Sequence, residues 1–352
     1  MNSYPRLKSG VRIEELTSPT SGSSELYVGL PAKGVRLYAK HADLIIRAFT
    51  GVHSTTAIAR ALLLPLEEIE AIVEVLTDSE LLELWPSGLP STPRGIGGSF
   101  RSAQYEIQRD LITHRAGTSD GGVREMKFRS EFTILISGEN RLARTLLTLL
   151  QSMGITHSRI ITRGQLSQRV DSYDVCGVTT RMSDIGKMRS EFHQELIRES
   201  ELPLSTGGVG SEVKSVAKPM PDLIISTIPI EWDYVQRWMS EGSAHLHINS
   251  LIGGSVEVGP YVVPGSSACL RCVALTKRDV GIRSAEESLR KELPAAASAH
   301  LAGLVAAIVG ELIATGTSDL YGSSLWLNLL QPLLPSERRY WQTHPECGCA
   351  DN

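Results

Sequence analysis

Two cysteine pairs constrain this sequence more than any other feature. Cys269 and Cys272 form a CxxC pair, and Cys347 and Cys349 form a CxC pair near the end of the chain. Four thiolates offered as two tight pairs are a typical ligand set of a tetrahedral structural zinc site. Closing the segment between the pairs costs about 4 kcal/mol of chain entropy, whereas structural zinc returns roughly 10–16 kcal/mol. The sequence therefore predicts a zinc site, with two separate redox-active or incidental cysteine pairs as the alternative.

Composition and charge narrow the class of protein. The chain has 352 residues, of which 41% are apolar, so it can form two or three domains with separate cores. Its net charge of −4 gives no electrostatic reason to expect binding to nucleic acid or to an anionic membrane. The first nine residues are polar and do not resemble a signal peptide. The paired cysteines then suggest a metal site in a reducing cytoplasm.

The most apolar segment of the chain, residues 300–316, is too short to span a bilayer and contains Glu311. We therefore expect a buried helix there and no membrane association.

The first 85 residues have the pattern of a small module with three strands followed by three helices. Strands are predicted at residues 11–16, 25–30 and 34–39, and helices at 41–50, 55–63 and 65–82. Ser54 and Pro65 stand where the second and third helices should begin. This order predicts a winged-helix-like module. The charged side chains of its last helix are all acidic, which is the wrong sign for contact with DNA phosphates.

The same module is suited to binding an extended peptide. The strand at residues 34–39 could accept a peptide as an additional strand, while the helix at 65–82 supplies pockets for its side chains. A module that serves only for packing or dimerisation is the alternative. The predicted peptide-binding side chains are Val35, Leu37, Ile69, Val73 and Leu76.

A second, Rossmann-like domain is predicted from residue 131. It follows a Pro/Gly/Ser-rich linker at 86–98 and a helix at 103–114. A buried strand at 132–137, the loop GENRLA at 138–143 and a helix to about Ser152 have the order of a nucleotide-binding βαβ unit.

The loop departs from the G-x-G-x-x-G/A pattern of nucleotide-binding units. Asn140 replaces the second glycine, and Glu139 adds a negative charge where phosphates would lie. The second strand, at residues 159–162, ends without the acidic residue that would bind a ribose. These departures predict a Rossmann-like fold that serves a structural role only, with a degenerate nucleotide site. The residues of that site are Gly138, Asn140, Arg141, Ala143 and Arg189.

The remaining pattern completes an α/β domain. Cys176 is expected to be a small buried residue in a strand, and a Gly/Ser-rich stretch at 205–213 is expected to be a surface loop. Strands are predicted at residues 173–178, 222–227, 245–250, 253–263 and 324–329, and helices at 186–199, 232–241 and 300–315.

Taken in order, these features resemble the ThiF/MoeB family, which has the ubiquitin-activating type of adenylating fold. The resemblance rests on the Rossmann-like opening, on VGPYVVPGSSACLRC at 258–272, on the late Ala-rich helix and on HPECGC at 344–349. It is closest to the ThiF-like proteins of bacteriocin biosynthesis, which partner YcaO cyclodehydratases in making thiazoles and oxazoles. Those proteins carry an N-terminal winged-helix element that recognises a leader peptide, which matches residues 11–84 here.

The resemblance implies three segments: a leader-peptide recognition module at 1–85, a linker and connecting helix at 86–130, and a ThiF-like domain with structural Zn²⁺ at 131–352. It implies a scaffold that delivers a ribosomal precursor peptide to a YcaO-type enzyme. Homodimerisation through this domain is a further implication, although an internal helix at 300–315 would look the same.

Adenylating members of the family use a lysine and an Asp-Asn pair to hold ATP and Mg²⁺. At the matching positions this chain has Arg189 and Ser226-Thr-Ile-Pro229, so ATP and Mg²⁺ are not expected. The alternative is an active ATP-dependent adenylyltransferase that acts on a peptide carboxylate, in which Arg141 and Arg189 hold the phosphates.

Overall fold

The computed structural model describes residues 3–17, 24–85, 107–109, 111–115, 117–161, 168–200, 220–250, 254–281, 293–331 and 335–349. The chain divides into two compact units, Met1–Lys127 and Phe128–Asn352. The predicted linker at 86–98 and the predicted loop at 205–213 lie outside the described residues. So does most of the predicted helix at 103–114, although residues 107–109 and 111–113 are helical.

The first unit contains the three predicted strands and the three predicted helices, and two further strands. Strands β2, β3 and β4 form an antiparallel sheet in that order, and β1 pairs with β5. The elements are β1 (Tyr4–Leu7), β2 (Arg12–Thr17), β3 (Ser24–Leu30), β4 (Lys33–Leu37), α1 (Ala42–Arg47), α2 (Thr55–Leu62), α3 (Leu66–Asp78) and β5 (Leu82–Trp85). The winged-helix assignment itself stays a prediction.

The predicted end of the third helix, at residue 82, is wrong. Helix α3 ends at Asp78, and Glu80 has a φ of 56°, which a helix cannot contain. The Glu80 carboxylate accepts hydrogen bonds from Lys33 Nζ at 2.6 Å and from the backbone N–H of Gly117 at 3.0 Å. These contacts fix the turn, after which Leu82–Trp85 continues as a strand. The predicted cap of α2 is confirmed, because Ser54 Oγ accepts from Ala57 N.

The second unit is built on a seven-stranded mixed sheet in the order β12-β11-β10-β9-β8-β6-β7. Strands β7, β6, β8 and β9 are parallel, and β10 to β12 continue the sheet antiparallel. A helix at Val123–Glu131, α4, precedes this sheet and contains the division between the units. The other elements are β6 (Thr133–Ser137), α5 (Arg141–Ser152), β7 (His157–Ile161), α6 (Arg189–Ser200), β8 (Leu223–Ser226), α7 (Trp232–Ser240), β9 (His245–Ser250), β10 (Ser255–Val262), α8 (Leu270–Asp279), α9 (Ala295–Thr315), β11 (Ser323–Asn328) and β12 (Glu337–Tyr340).

The predicted strand at residues 173–178 is wrong. This segment forms turns, in which Asp171 accepts from Tyr173 N at 2.7 Å and Asp174 accepts from Asp171 N at 2.8 Å. Such side-chain to backbone hydrogen bonds replace the ladder of a strand. Cys176 is therefore half-buried in a turn and does not lie in a strand.

Helix α9 is long and apolar enough to cross a membrane, judged by length and composition alone. Half of the apolar window is nevertheless buried within the protein, and α9 packs against α5. Leu301, Val305 and Val309 are fully buried in the core that fills one face of the sheet. The predicted buried helix is thus confirmed, and it begins five residues earlier than expected because Pro294 sets its start.

Candidate functional site

The four paired cysteines meet at one place in the second unit. Cys269 precedes the first residue of α8, and Cys272 lies one turn further along this helix. Cys347 and Cys349 lie in the turn after β12, where Gly348 has a φ of 69° that a glycine adopts without strain. The Sγ atoms of Cys269 and Cys347 are 3.4 Å apart, and those of Cys272 and Cys349 are 3.3 Å apart. The predicted cluster of four cysteines is confirmed.

The geometry of this cluster fits a tetrahedral metal ion. All four Sγ atoms lie within 4.8 Å of one another, and Zn–S bonds of about 2.3 Å require S···S separations of about 3.8 Å. The backbone N–H of His344 points at Cys272 Sγ from 3.3 Å and would support a thiolate there. Burial and the thiols of Cys272 and Cys269 raise the pKa of Cys349 to about 11, so ligation has to displace its proton. Four protein ligands in an apolar shell are typical of a structural site.

The loop after β6 is filled by the chain's own side chains. Asn140 caps α5, with its Oδ1 accepting from Ala143 N at 2.9 Å, and its amide donates to Thr227 O at 2.7 Å. A Cβ added at Gly138 would lie 2.3 Å from Thr227 Oγ1. The N-terminus of α5, where a nucleotide-binding loop receives phosphate, is thus packed against the end of β8.

Arg189 is engaged in a buried cluster of ionic side chains. Its guanidinium lies 3.4 Å from the carboxylate of Glu139 and 2.9 Å from that of Asp174. Arg144 approaches the second oxygen of Asp174 at 3.1 Å. Burial raises the pKa of Glu139, although Arg189 and Arg144 oppose the shift. The cation that would hold a phosphate is therefore already paired with two carboxylates of the same chain.

Sequence reasoning missed Arg144 and Asp174. Asp174 lies in the segment that was predicted to be a strand, and Arg144 occupies a position on the apolar stripe of α5, where it is 1% exposed. A lone arginine on the buried face of an amphipathic helix was the one available signal.

The other predicted loop residues have separate roles. Ala143 is fully buried in the core, and Arg141 donates to the backbone oxygen of Leu293 at 3.1 Å. The structure thus brings Gly138, Asn140 and Arg189 together around one loop, and Arg141 and Ala143 contact other parts of the unit.

Most of the predicted peptide-binding side chains belong to the core of the first unit. Ile69 and Leu76 are fully buried, Leu37 and Val73 are 8% and 9% exposed, and Val35 is half-buried against the same core. A peptide cannot contact the buried members without opening the unit. The backbone of β4 is different, because within the described ranges it pairs with β3 alone and has no strand on its other edge.

Comparison with known proteins identifies relatives of the fold. No family model and no curated protein matches the chain. Among solved structures, Escherichia coli MccB bound to AMPCPP and MccA covers 100% of both chains with a TM-score of 0.61 and 14% sequence identity. The microcin C7 biosynthetic enzyme MccB in complex with N-formylated MccA covers 98% of this chain and 99% of that chain, with a TM-score of 0.60 and 12% identity. The heterocyclase TruD covers 99% of this chain, which spans 43% of TruD, with a TM-score of 0.55 and 12% identity.

These likenesses are at low identity and show the fold. The chain shares the fold of MccB, and the predicted α/β architecture is confirmed at that level.

Proposed function

We propose that this protein is a cytoplasmic leader-peptide-binding scaffold in the maturation of a ribosomally made peptide antibiotic. In this proposal it delivers the precursor peptide to a YcaO-type cyclodehydratase, and a structural zinc ion holds the Cys269–Cys349 cluster. The proposal rests on the pairing of Arg189 with Glu139 and Asp174, which engages the cation that would hold a phosphate. The likeness to MccB, a protein whose structure was solved with the peptide MccA, supports the peptide-binding part.

The pairing of Arg189 argues against adenylation. Transfer of an adenylyl group needs cations placed around the reacting phosphate. Freeing Arg189 would leave Glu139 and Asp174 as buried carboxylates with fewer partners, and breaking a buried ion pair in this way costs about 3–5 kcal/mol. A triphosphate brought beside Glu139 would in addition meet a negative charge.

We therefore expect no ATP binding to the zinc-loaded protein. Calorimetric titration with ATP and Mg²⁺ should give no heat of binding at millimolar nucleotide, because Glu139 and Asn140 occupy the loop. ATP binding at micromolar concentration would contradict the proposed scaffold function and would favour the adenylyltransferase described next.

The second candidate is an ATP-dependent adenylyltransferase that acts on a peptide carboxylate. It is favoured by the AMPCPP present in the similar MccB structure. In this candidate Arg141 and Arg189 would hold the phosphates, so both would have to leave the partners described above. Peptide-dependent exchange of labelled pyrophosphate into ATP is the measurement that detects it.

Peptide binding is proposed at the edge of β4. An edge strand offers unpaired backbone N–H and C=O groups, and an added peptide strand uses them without any need for buried side chains. Gly34 and Arg36 are exposed on one face of β4, and Tyr38 beyond it is 68% exposed. We assign side-chain contacts with the peptide to Arg36 and Tyr38, and not to the buried Ile69, Val73 and Leu76.

Proline variants test this edge. In an antiparallel sheet successive residues direct their N–H groups to opposite edges, so one of Val35 and Arg36 faces β3 and the other faces the open edge. Proline at the residue whose N–H faces β3 removes a hydrogen bond of the sheet and should disturb folding, whereas proline at the other residue should not. Of Val35→Pro and Arg36→Pro, the one that still unfolds cooperatively is therefore the variant altered at the open edge, here called the edge variant. We expect the edge variant to bind a fluorescent leader peptide with an affinity at least about tenfold lower. The lost main-chain hydrogen bond and the displacement of its neighbours together cost roughly 1.4 kcal/mol or more of binding free energy.

The matched control lies on the opposite edge of the same sheet. Of Ile13→Pro and Glu14→Pro on β2, the folded variant should bind the leader peptide normally and retain its zinc. Unchanged binding in the folded β4 variant would show that the peptide does not add to β4.

A further inference from the structure

A small polar cavity lies between β9, β10 and α8 in the second unit. Its volume is about 30 Å³, which is room for one or two water-sized groups. His247, Asn249, Glu257 and Lys277 supply its polar lining, and the indole of Trp232 forms part of its apolar wall.

Polar atoms that face this cavity have no partner among the described residues. His247 is 3% exposed, and neither of its ring nitrogens makes a hydrogen bond within the described ranges. Glu257 is 2% exposed; its Oε2 accepts from Lys277 Nζ at 2.6 Å, whereas its Oε1 is unpartnered within the same ranges. Buried polar atoms in folded proteins are almost always satisfied. A small polar group therefore belongs in this space.

The lining defines the chemistry of that group. The charges of Lys277 and Glu257 cancel, and burial, together with His245 and Lys277, lowers the pKa of His247 to about 3, so its imidazole is neutral. A neutral imidazole offers one donor and one acceptor, and the free oxygen of Glu257 only accepts. The occupant must therefore both donate and accept hydrogen bonds. A carboxylate has no proton to donate, and an ammonium group cannot accept.

The size and position of the cavity further restrict which chemical groups could occupy it. A hydroxymethyl group has two heavy atoms and fits the volume, whereas a carboxamide has three. The cavity lies beyond the carboxyl end of β8, since Ile230 and Trp232 follow that strand. Ligands of open α/β sheets bind outside the carboxyl ends of the strands. Trp232 is 41% exposed, so this wall of the cavity reaches the surface.

We propose that the cavity at His247, Glu257 and Lys277 binds the hydroxymethyl side chain of a serine in a bound peptide. This inference rests on the proposed peptide-binding function. It adds a preference for serine in the part of the peptide that reaches the second unit.

The test uses the full, zinc-loaded chain with histidine labelled in its ring nitrogens, observed by NMR. N-acetyl-serinamide is the probe, and N-acetyl-alaninamide, which lacks only the hydroxyl, is the matched compound. We expect a saturable shift of the His247 ring signals at millimolar serine compound and none with the alanine compound. Equal shifts with both compounds, or none with either, would overturn the proposal.

Two variants assign the response to the cavity. Ala274 lines the cavity, so Ala274→Leu should fill it and abolish the shift of the His247 ring signals. His245→Gln should preserve the shift, because His245 is buried two residues away on the same side of β9 but does not line the cavity. Loss of the response in His245→Gln alone would overturn the assignment.

Leader-peptide binding by the same samples separates the two proposals. If the wild-type protein binds the leader peptide but gives no serine-specific shift, the cavity inference fails and the proposed function stands. A serine-specific shift in a protein that binds no leader peptide would support the cavity and contradict the proposed function.

Discussion

Replacing Cys272 by serine should unfold the second unit or leave it barely stable. The Cys272 side chain is fully buried, and its Sγ lies 3.7 Å from that of Cys269 and 3.3 Å from that of Cys349. Structural zinc contributes roughly 10–16 kcal/mol, which is comparable to the whole stability of an ordinary domain, about 5–15 kcal/mol. Losing one thiolate therefore removes an amount that the apolar core alone cannot replace. Zinc content by mass spectrometry and urea unfolding followed by circular dichroism measure the effect.

Cys176 provides the matched control for this experiment. It lies half-buried in a turn, where the backbone N–H of Thr179 points at its sulfur from 3.5 Å, a contact that a serine oxygen can replace. Cys176→Ser should keep one zinc per chain and change the free energy of unfolding by less than about 0.5 kcal/mol. A Cys272→Ser protein that keeps its zinc and its unfolding midpoint would refute the site. Two disulfides in a zinc-free wild-type protein would instead support the redox alternative.

The parts of the fold that the sequence predicted depend on local signals. CxxC and CxC each place two thiols within a few residues, and a glycine between the second pair permits the required turn. Ser54 is recognisable as a helix cap from its position before the predicted second helix, and its side chain does cap that helix. Signals of this kind are complete within a short segment, so no knowledge of the partner elements is needed.

The errors arise where a distant contact decides the local structure. Residues 173–178 alternate in a way that suggests a strand, but Asp174 faces Arg144 and Arg189, which come from two different helices. These ion pairs hold the segment in turns, and the sequence of residues 173–178 alone cannot predict them because the partners lie elsewhere in the chain. The polar cavity was missed for the same reason, because His247, Glu257 and Lys277 lie on three elements. Strand β12 escaped detection because its exposed edge is mostly charged, as edge strands commonly are.

Acidification from about pH 7 to about pH 5.5 should destabilise the second unit by several kcal/mol, through three buried histidines. Burial is the main cause that lowers the pKa of His193 and of His245 to about 4 and that of His247 to about 3. Arg144 and Arg189 add to the shift at His193, and His245 and Lys277 add to it at His247. In the unfolded chain each imidazole has its ordinary pKa of about 6.5.

The sign of the effect follows from proton uptake. Between pH 6.5 and the folded pKa values the unfolded state binds protons and the folded state does not, so stability is complete above about pH 6.5 and falls below it. Each histidine contributes about 1.4 kcal/mol per pH unit, and three together contribute up to about 4 kcal/mol per unit. Urea unfolding across this range measures the slope.

His247→Gln separates this effect from acid loss of zinc. Glutamine cannot take up the proton, so the variant should lose about one third of the slope while its zinc content at each pH matches that of the wild type. Zinc release would steepen the slope equally in both proteins, because the cysteine cluster is the same in each. An unchanged slope in His247→Gln would therefore show that folded His247 takes up its proton at least as readily as the unfolded chain does, so that its ring is charged below about pH 6.5. The cavity beside Glu257 would then bind through an imidazolium that only donates, and the hydroxyl specificity argued from a neutral ring would lose its basis.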